Sequence, residues 1–150
     1  MPTLFEPQTA QAIISRVNKL TNLHVRQWGK MDVTQMLKHV NDALGTATGE
    51  TTIKTNLFFK LLAPFIKMEV MSAKPYKPSL PTAKEFVIKS HNLNFEEEKN
   101  ALLNRLNKFL ANGEAAVEGL KHPAFGKMTA YEWGFSQWKH FDHHLRQFGV

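Results

Sequence analysis

The sequence has 150 residues, 43% of them apolar, and a formal net charge of +6 with its seven histidines counted as neutral. This length and composition are typical of one domain, residues 1–150, with a core that needs no covalent cross-links. The absence of cysteine excludes disulfides, thiolate metal sites and cysteine nucleophiles. Any chemistry must therefore use histidine, carboxylate or hydroxyl groups.

The positive charge makes nucleic acid or an acidic ligand a candidate partner. However, lysines and arginines are scattered from Arg16 to Arg146 and interleaved with glutamates. They form neither the clustered basic stripe nor the stacking aromatic pattern of nucleic-acid-binding modules. This distribution argues against nucleic acid and indicates an ordinary solvated surface.

Neither the amino terminus nor the most apolar segment of the chain predicts export or membrane insertion. The amino terminus lacks the basic stretch, long apolar run and cleavage site of a signal peptide. Between Asn56 and Ala73, charged residues and a proline interrupt the apolar run well before about 20 residues accumulate. We therefore predict no membrane span and a cytoplasmic location.

Apolar residues recur at helical spacing, and no segment shows the sustained alternation of a strand, which predicts an all-α four-helix bundle. A first helix is predicted from Pro7 to Leu20, with the proline favouring its first turn. The second is predicted to begin at Asp32, which can form a capping box with Gln35, and to end near Gly45.

The middle of the chain contains an apolar helical segment followed by a proline-rich connection. The helix is predicted from Asn56 to Met71, kinked or divided at Pro64. The segment from Lys74 to Thr82 is predicted to be an extended crossover, because it contains Pro75, Pro78 and Pro81. A long crossover suits a bundle whose middle helices run parallel. The connection could also fold over the bundle or serve a homodimer contact, although its role as a connection explains it.

Two further helices have clear start signals. One is predicted from Asn94 to Gly113, with Glu97 three residues after the capping asparagine. The other is capped by Thr129, has Glu132 three residues later and extends to about Phe148.

Helical angles of about 100° per residue divide the last helix into three faces. The face predicted to meet the core contains Phe148, Phe141, Gly134, Leu145, Trp138, Tyr131 and Phe135. The face predicted to meet solvent contains Lys139, Arg146, Glu132, Ser136 and His143. A polar strip at the edge of the apolar face contains His140, His144, Gln137, Gln147 and Trp133. His143 is therefore predicted to lie outside any site formed by the other two histidines.

The second helix has a histidine, His39, at the corresponding edge of its apolar face. In the last helix, imidazoles four residues apart project from one face within chelating distance. A third nitrogen from a facing helix would complete the open three-ligand site typical of catalytic zinc. The sequence therefore predicts a divalent metal site at His39, His140 and His144, which could accept zinc, nickel, cobalt or iron.

The same histidines have a structural alternative. His140 and His144 could hydrogen-bond Gln137, Asp142 or backbone carbonyls inside the bundle. Each buried polar group left unpaired costs roughly 1 to 3 kcal/mol, so some partner is required. A metal ion is the partner that would satisfy all three imidazoles together.

Several other side chains have a functional and a structural interpretation. Gln147 could hydrogen-bond and so orient a metal ligand or a metal-bound water, although a glutamine at a helix end is more often solvated, which we expect here. Trp28 and Trp133 could wall a substrate pocket, although aromatic residues of bundles usually belong to the core. The loop from His122 to Lys127 could cover one end of the bundle.

The remaining titratable residues receive no assigned role. His24 and His91 are predicted to lie outside the site. The sequence does not place Asp32, Asp42 or Asp142 relative to the metal, so no general base is assigned.

The segments that contain these histidines resemble a known superfamily. They are His122-Pro-Ala-Phe-Gly-Lys-Met-Thr-Ala-Tyr-Glu-Trp133, Lys139-His-Phe-Asp-His-His-Leu-Arg-Gln-Phe-Gly149 and, upstream, Trp28-Gly-Lys-Met31 with Gln35-Met-Leu-Lys-His39. Together they resemble the DinB-like superfamily of metalloenzymes, and most closely an uncharacterised branch of it. The similarity spans most of the chain.

This resemblance implies a four-helix bundle in up-down-down-up order with a three-histidine site for nickel or zinc. His39, His140 and His144 match the ligand positions, and the helical angles select the same three residues. Members of the superfamily include thiol-dependent transferases and isomerases, so the resemblance also implies a small-molecule substrate and a low-molecular-weight thiol as a candidate cofactor.

Two functions from different classes follow. The first is a metal-dependent thiol transferase or hydrolase that acts on a small molecule through the three histidines. The second is a non-catalytic bundle whose basic surface binds an acidic protein or nucleic acid while the histidines are structural. Stoichiometric metal would indicate the first, and salt-sensitive association with nucleic acid would indicate the second.

Overall fold

The computed structural model describes residues 1–52, 57–78 and 84–150, with residues 57–60 as backbone only. The helices of these ranges are α1 Pro7–Lys19, α2 Val33–Leu44, α3 Leu57–Val70, α4 Phe95–Asn112 and α5 Ala130–Gln147. Short 3₁₀ helices lie at Lys84–Phe86 and Glu114–Ala116, and a small antiparallel hairpin joins β1 Lys121–His122 to β2 Gly126–Lys127. The predicted all-α class is confirmed.

Helices α1, α2, α4 and α5 pack around one shared hydrophobic core, and α2 packs most extensively on α4. The large fully buried side chains include Ile13, Met36, Leu37, Leu106, Phe109, Trp133 and Phe141. Burial of each such side chain contributes roughly 1.5 to 3 kcal/mol relative to an exposed one. The four-helix bundle predicted from apolar spacing is confirmed by this arrangement.

Contacts between the helices show their directions. The ring of Phe5, just before α1, stacks on Phe109 near the end of α4 at 5.0 Å. At the other end of α1, the carbonyl of Asn18 accepts a hydrogen bond from Lys99 Nζ, near the start of α4, at 2.9 Å. Helices α1 and α4 are therefore antiparallel.

By contrast, α1 runs parallel to α5. The amide of Leu4 donates to the carbonyl of Gly134 at 3.2 Å near the start of both helices, and Arg16 pairs with Asp142 at 2.9 Å near their ends. Helices α2 and α4 are also parallel. Arg105 contacts Asn41, and the later residue Lys108 contacts the later residue Glu50, so both segments run in the same direction. The order is thus up-down-down-up, and parallel α2 and α4 require the long crossover.

Side-chain caps fix the start of three helices as predicted. Asp32 and Gln35 form a capping box at α2, and Thr129 and Glu132 form one at α5. The side chain of Asn94 accepts hydrogen bonds from two backbone amides in the first turn of α4. Each such cap stabilises a helix by about 1 kcal/mol, because it pairs amides that have no partner within the helix.

Helix α3 lies in the connection between α2 and α4, ahead of the predicted crossover, and runs through Pro64 without dividing. A salt bridge of 2.7 Å between Lys67 and Glu132 attaches it to α5. The predicted start of this helix at Asn56 and the predicted end of the crossover at Pro81 and Thr82 lie outside the described residues. Each helix of the described ranges is too short or too polar to cross a bilayer.

Two local features differ from the prediction. The segment predicted as a loop contains the hairpin β1–β2, whose two-residue strands are too short to produce an alternating pattern. Tyr131, predicted on the core face of α5, is 44% exposed. It lies in the first turn of the helix, where its ring stacks on Phe135 at a centroid distance of 6.2 Å.

Candidate metal centre

Three imidazoles from α2 and α5 converge at one edge of the core. One ring nitrogen from each of His39, His140 and His144 lies within 4.8 Å of the other two. The ring centroids are 5.0 Å apart for His39 and His140, and 4.7 Å apart for each of the other two pairs. The structure therefore brings together the three histidines that the sequence predicts as metal ligands, in an arrangement that could hold one ion.

The first imidazole, His39, has a fixed orientation and tautomer. Its Nδ1–H donates to the carbonyl of Phe86 at 2.9 Å, so its Nε2 lone pair remains available. That Nε2 lies 3.1 Å from Nε2 of His140. Two ring nitrogens at this distance can share one proton or one cation. Histidines that bind a metal usually donate the N–H of their other ring nitrogen to a carbonyl or carboxylate, as His39 does here.

The segment that contains Phe86 is held against α2 by Gln35. The side-chain oxygen of Gln35 completes the capping box, while its Nε2 donates to the carbonyl of Ser90 at 3.1 Å. One residue therefore both starts the helix of His39 and holds the chain that orients the His39 ring.

The third imidazole, His144, is supported from the opposite side. Its Nδ1–H donates to Oε1 of Gln147 at 2.8 Å, and Nε2 of Gln147 donates to the carbonyl of Trp28 at 2.8 Å. A Cβ on Gly29, which has φ of +83°, would lie 2.5 Å from Gln147 Nε2, so only glycine allows this approach without a shift of the side chain. The turn at Trp28 and Gly29 thereby fixes Gln147, which fixes the tautomer of His144.

Among the three candidate ligands, the residue His140 is half-buried, whereas His39 and His144 are buried. Access from solvent is what an open coordination position requires. Of the three residues, His140 is thus the most accessible to solvent.

The three imidazoles favour their neutral form. Burial lowers the pKa of His39, and it lowers the pKa of His144 to about 3, with a smaller contribution from neighbouring His39. The pKa of His140 is well below its ordinary value because of burial and the adjacent imidazoles. Neutral imidazole is the form that binds a metal, so near neutral pH the cluster can bind an ion with little competition from protons.

The donor set and its spacing fit a divalent transition metal. Three imidazole nitrogens suit zinc, nickel, copper or iron better than magnesium or calcium, which prefer oxygen. The 3.1 Å between Nε2 of His39 and Nε2 of His140 is short enough for both nitrogens to bind one such ion.

A family model supplies the comparison with known proteins. Residues 5–149 match the family described as "Protein of unknown function (DUF1569)". The chain belongs to the DUF1569 family. No curated protein and no solved structure shows significant similarity to it. The family match covers both helices of the histidine cluster, and the resemblance to the DinB-like superfamily stays a prediction.

One side of α5 in this DUF1569 chain differs from the prediction. Lys139, Ser136 and His143 were assigned to a solvated face, but they are 3%, 8% and 7% exposed. The chain after α3 covers this face, since the Tyr76 ring lies 5.6 Å from the His143 ring and 4.5 Å from Lys139 Nζ. The prediction was wrong because a helical wheel does not include cover from a distant segment.

Lys139 holds that cover in place. Its Nζ donates to the carbonyls of Glu69, Val70 and Ser72 at 3.0, 3.0 and 2.8 Å. These carbonyls lie at the carboxyl end of α3, where a cation is favoured by the helix dipole. Burial lowers the pKa of Lys139. The interaction joins the carboxyl end of α3 to the helix that contains two of the three candidate ligands.

The other predicted site residues separate into two groups. Gln147, for which we expected solvation, is 3% exposed and hydrogen-bonds His144. Trp28 lies beside it, with its ring 5.8 Å from that of His143. Trp133 belongs to the core and donates from Nε1 to the carbonyl of Leu120 at 3.3 Å. Trp28 thus adjoins the candidate centre, whereas Trp133 has the structural role.

The carboxylates are engaged elsewhere in the described structure. Asp32 caps α2, Asp42 pairs with Lys38, and Asp142 pairs with Arg16 as well as with Arg146. Asp142 was also a candidate hydrogen-bond partner for His140 and His144, but its carboxylate pairs with the two arginines instead.

The remaining histidines have local hydrogen bonds. His24 Nδ1 accepts a hydrogen bond from the backbone amide of Thr21. His91 Nδ1 lies 3.3 Å from the side-chain nitrogen, Nε2, of Gln35. His122 Nδ1 accepts from the amide of Ala124 within the hairpin. Their separation from the cluster agrees with the prediction for His24 and His91.

Two supports of the centre were not predicted. The carbonyl of Phe86 belongs to the backbone, so no residue type marks it in the sequence. Lys139 could have been suspected from its place on α5, one residue before His140 and four before His143, but its partners are about 70 residues away in the chain. Only the folded crossover reveals both contacts.

Proposed function

We propose that this DUF1569 protein is a metal-dependent enzyme that acts on a small molecule through one divalent ion, zinc or nickel, bound by His39, His140 and His144. The observation that carries the proposal is the convergence of three imidazoles whose outer nitrogens at His39 and His144 are already hydrogen-bonded. Those bonds direct the inner nitrogens toward one point, as the supports of a metal ligand do.

The chain's own residues would perform three tasks around the ion. Phe86 and Gln147 hold the tautomers of the outer ligands. The depressed pKa values, caused chiefly by burial, keep the imidazoles unprotonated. The surrounding core excludes water from the inner side, while partly exposed His140 leaves an approach from outside. This combination is typical of a site that binds an ion and keeps a position for substrate.

A bound divalent ion supplies a lowered pKa to a coordinated water or thiol, which provides a nucleophile near neutral pH. Attack by water corresponds to a hydrolase, and attack by a low-molecular-weight thiol corresponds to an S-transferase. Both reactions are compatible with a centre whose first ligands are all neutral, and the proposal includes either one.

Metal analysis tests the proposal. The purified protein is incubated with zinc or nickel, freed of excess ion and measured by elemental analysis beside a His39→Ala/His140→Ala/His144→Ala variant. We expect about one ion per wild-type chain and none in the triple variant. His24→Ala is the matched control, since His24 accepts a local amide in a loop. A wild-type protein that stays metal-free with both ions would refute the proposal.

A further inference from the structure

Buried polar atoms without a partner concentrate around the histidine cluster. Among the described residues, the buried side-chain nitrogen and oxygen atoms that have no hydrogen-bond partner are Trp28 Nε1, Gln137 Oε1 and His143 Nδ1. Folded proteins leave few such atoms, and each one calls for an explanation such as a bound ligand. Gln137 and His143 lie on α5 beside its two candidate ligands, and the Trp28 ring contacts His143.

Gln137 lies on the same strip of α5 as the two ligands of that helix. It precedes His140 by three residues and His144 by seven, so its side chain is a direct neighbour of His140. Helical side chains lean toward the amino end of their helix, which directs the His140 ring toward the turn of Gln137. Gln137 is 6% exposed, and its Oε1 can only accept a hydrogen bond.

Trp28 is connected to the cluster through His143. The His143 ring lies 4.9 Å from the His144 ring and 5.8 Å from the Trp28 ring. Trp28 is anchored because its carbonyl accepts from Gln147, the residue that supports His144. An indole N–H is a donor only, and it usually finds an acceptor when it is buried. Trp28 therefore offers a donor and Gln137 an acceptor near the same centre.

We propose that Gln137 and Trp28 are substrate-binding residues of the metal centre, and that the substrate is a small polar molecule with both a hydrogen-bond donor and an acceptor beside its reacting atom. Gln137 accepts from an N–H or O–H of the substrate, and Trp28 donates to a substrate oxygen. Amide- and hydroxyl-bearing molecules meet this requirement, whereas a purely apolar molecule does not. The inference rests on the proposed metal-binding function.

A structural role would predict a different consequence of substitution. A buried amide oxygen without a partner destabilises the fold, and an apolar side chain of similar shape removes that cost. Gln137→Met should therefore leave thermal stability unchanged or raise it. If it also weakens ligand binding, the role of the amide lies in recognition.

Two small probes of the cobalt-loaded protein test the inference. Acetohydroxamate has an N–H donor and a carbonyl acceptor, whereas azide has acceptors only. We expect Gln137→Met to raise the dissociation constant of acetohydroxamate roughly tenfold or more, as loss of a hydrogen bond implies, and to leave that of azide unchanged. Visible absorption of the cobalt ion reports both titrations without any assay of activity.

Three variants serve as controls. Gln137→Glu keeps an acceptor at the position and should retain most of the acetohydroxamate affinity. Trp28→Phe removes the indole donor and should weaken both probes, because both can accept its hydrogen bond. Gln8→Met makes the same replacement at an exposed position of α1 and should change neither.

The outcomes separate this inference from the proposed function. Normal cobalt binding with an unchanged acetohydroxamate constant in Gln137→Met would overturn the inference alone. Equal weakening of both probes in that variant would also overturn it, because the residue would then act on the metal or the fold. A wild-type protein that binds no cobalt would refute the metal centre and the inference with it.

Discussion

Replacement of Gln147 by leucine tests the support of the metal centre without touching a ligand. Gln147 makes two hydrogen bonds of 2.8 Å, one from His144 Nδ1–H and one to the carbonyl of Trp28. Leucine has a similar volume but can make neither bond. His144 would lose the contact that fixes its tautomer and ring orientation, while the residue itself would remain available to bind metal.

The expected effect is a fall in zinc or nickel affinity of about 10- to 100-fold, which is the usual cost of removing such a support. That range corresponds to about 1.4 to 2.7 kcal/mol of binding free energy. The free energy of unfolding without metal should also fall by roughly 1 to 3 kcal/mol for each group left unpaired at this buried position.

Competition with a chromophoric chelator at constant pH measures the metal affinity, and thermal unfolding reports whether the variant is folded. Gln147→Glu is the matched variant, because a carboxylate can still accept from His144 Nδ1–H although it cannot donate to Trp28. It should recover most of the affinity lost in Gln147→Leu. Equal metal affinity in wild-type and leucine variant, or equal losses in both variants, would show that the bond to His144 does not support metal binding.

Three further changes test the fold at positions other than the candidate ligands. Lys139→Met should lower the free energy of unfolding by roughly 2 to 4 kcal/mol in urea titrations, because three carbonyls at the end of α3 lose a charged donor, and a change below about 0.5 kcal/mol would contradict this role. Asp32→Ala should cost about 1 kcal/mol through loss of the α2 cap, and an unchanged denaturation midpoint would argue against the capping box. Burial lowers the pKa of His122 from the ordinary 6.5 to about 4. As pH falls, His122 is therefore protonated in the unfolded chain before it is protonated in the folded one. The free energy of unfolding then decreases between about pH 6.5 and about pH 4. His122→Asn, which keeps an acceptor for the amides of the hairpin, should reduce that loss by up to about 3 kcal/mol, and parallel pH profiles for the two proteins would contradict the assignment.

Local sequence signals predicted most of the helical architecture. The capping residues Asp32, Asn94 and Thr129 each stand at the start of the helix they were expected to begin. These signals work because a cap depends on residues within one turn of each other. The hairpin of β1 and β2 escaped prediction, since its strands comprise only two residues each.

The histidine trio was predictable for a similar reason. His140 and His144 lie four residues apart on one helix, and His39 occupies the edge of another apolar face, so helical angles alone indicated convergence. His143 was misplaced because its cover, Tyr76, comes from a crossover that no local pattern positions. Gln147 was predicted to be solvated because it lies near a helix end. The turn at Trp28 that covers it is about 120 residues away in the chain, so no local pattern indicates the contact.

The most direct test of the metal centre is a crystal structure of the zinc- or nickel-loaded protein, with anomalous scattering recorded at the absorption edge of the metal. The account predicts one anomalous peak at about 2.0 to 2.2 Å from nitrogens of His39, His140 and His144. Outer ring nitrogens of His39 and His144 that remain bound to Phe86 and Gln147 would agree with the proposed supports. Imidazoles that diverge, or a peak located away from all three, would contradict the account.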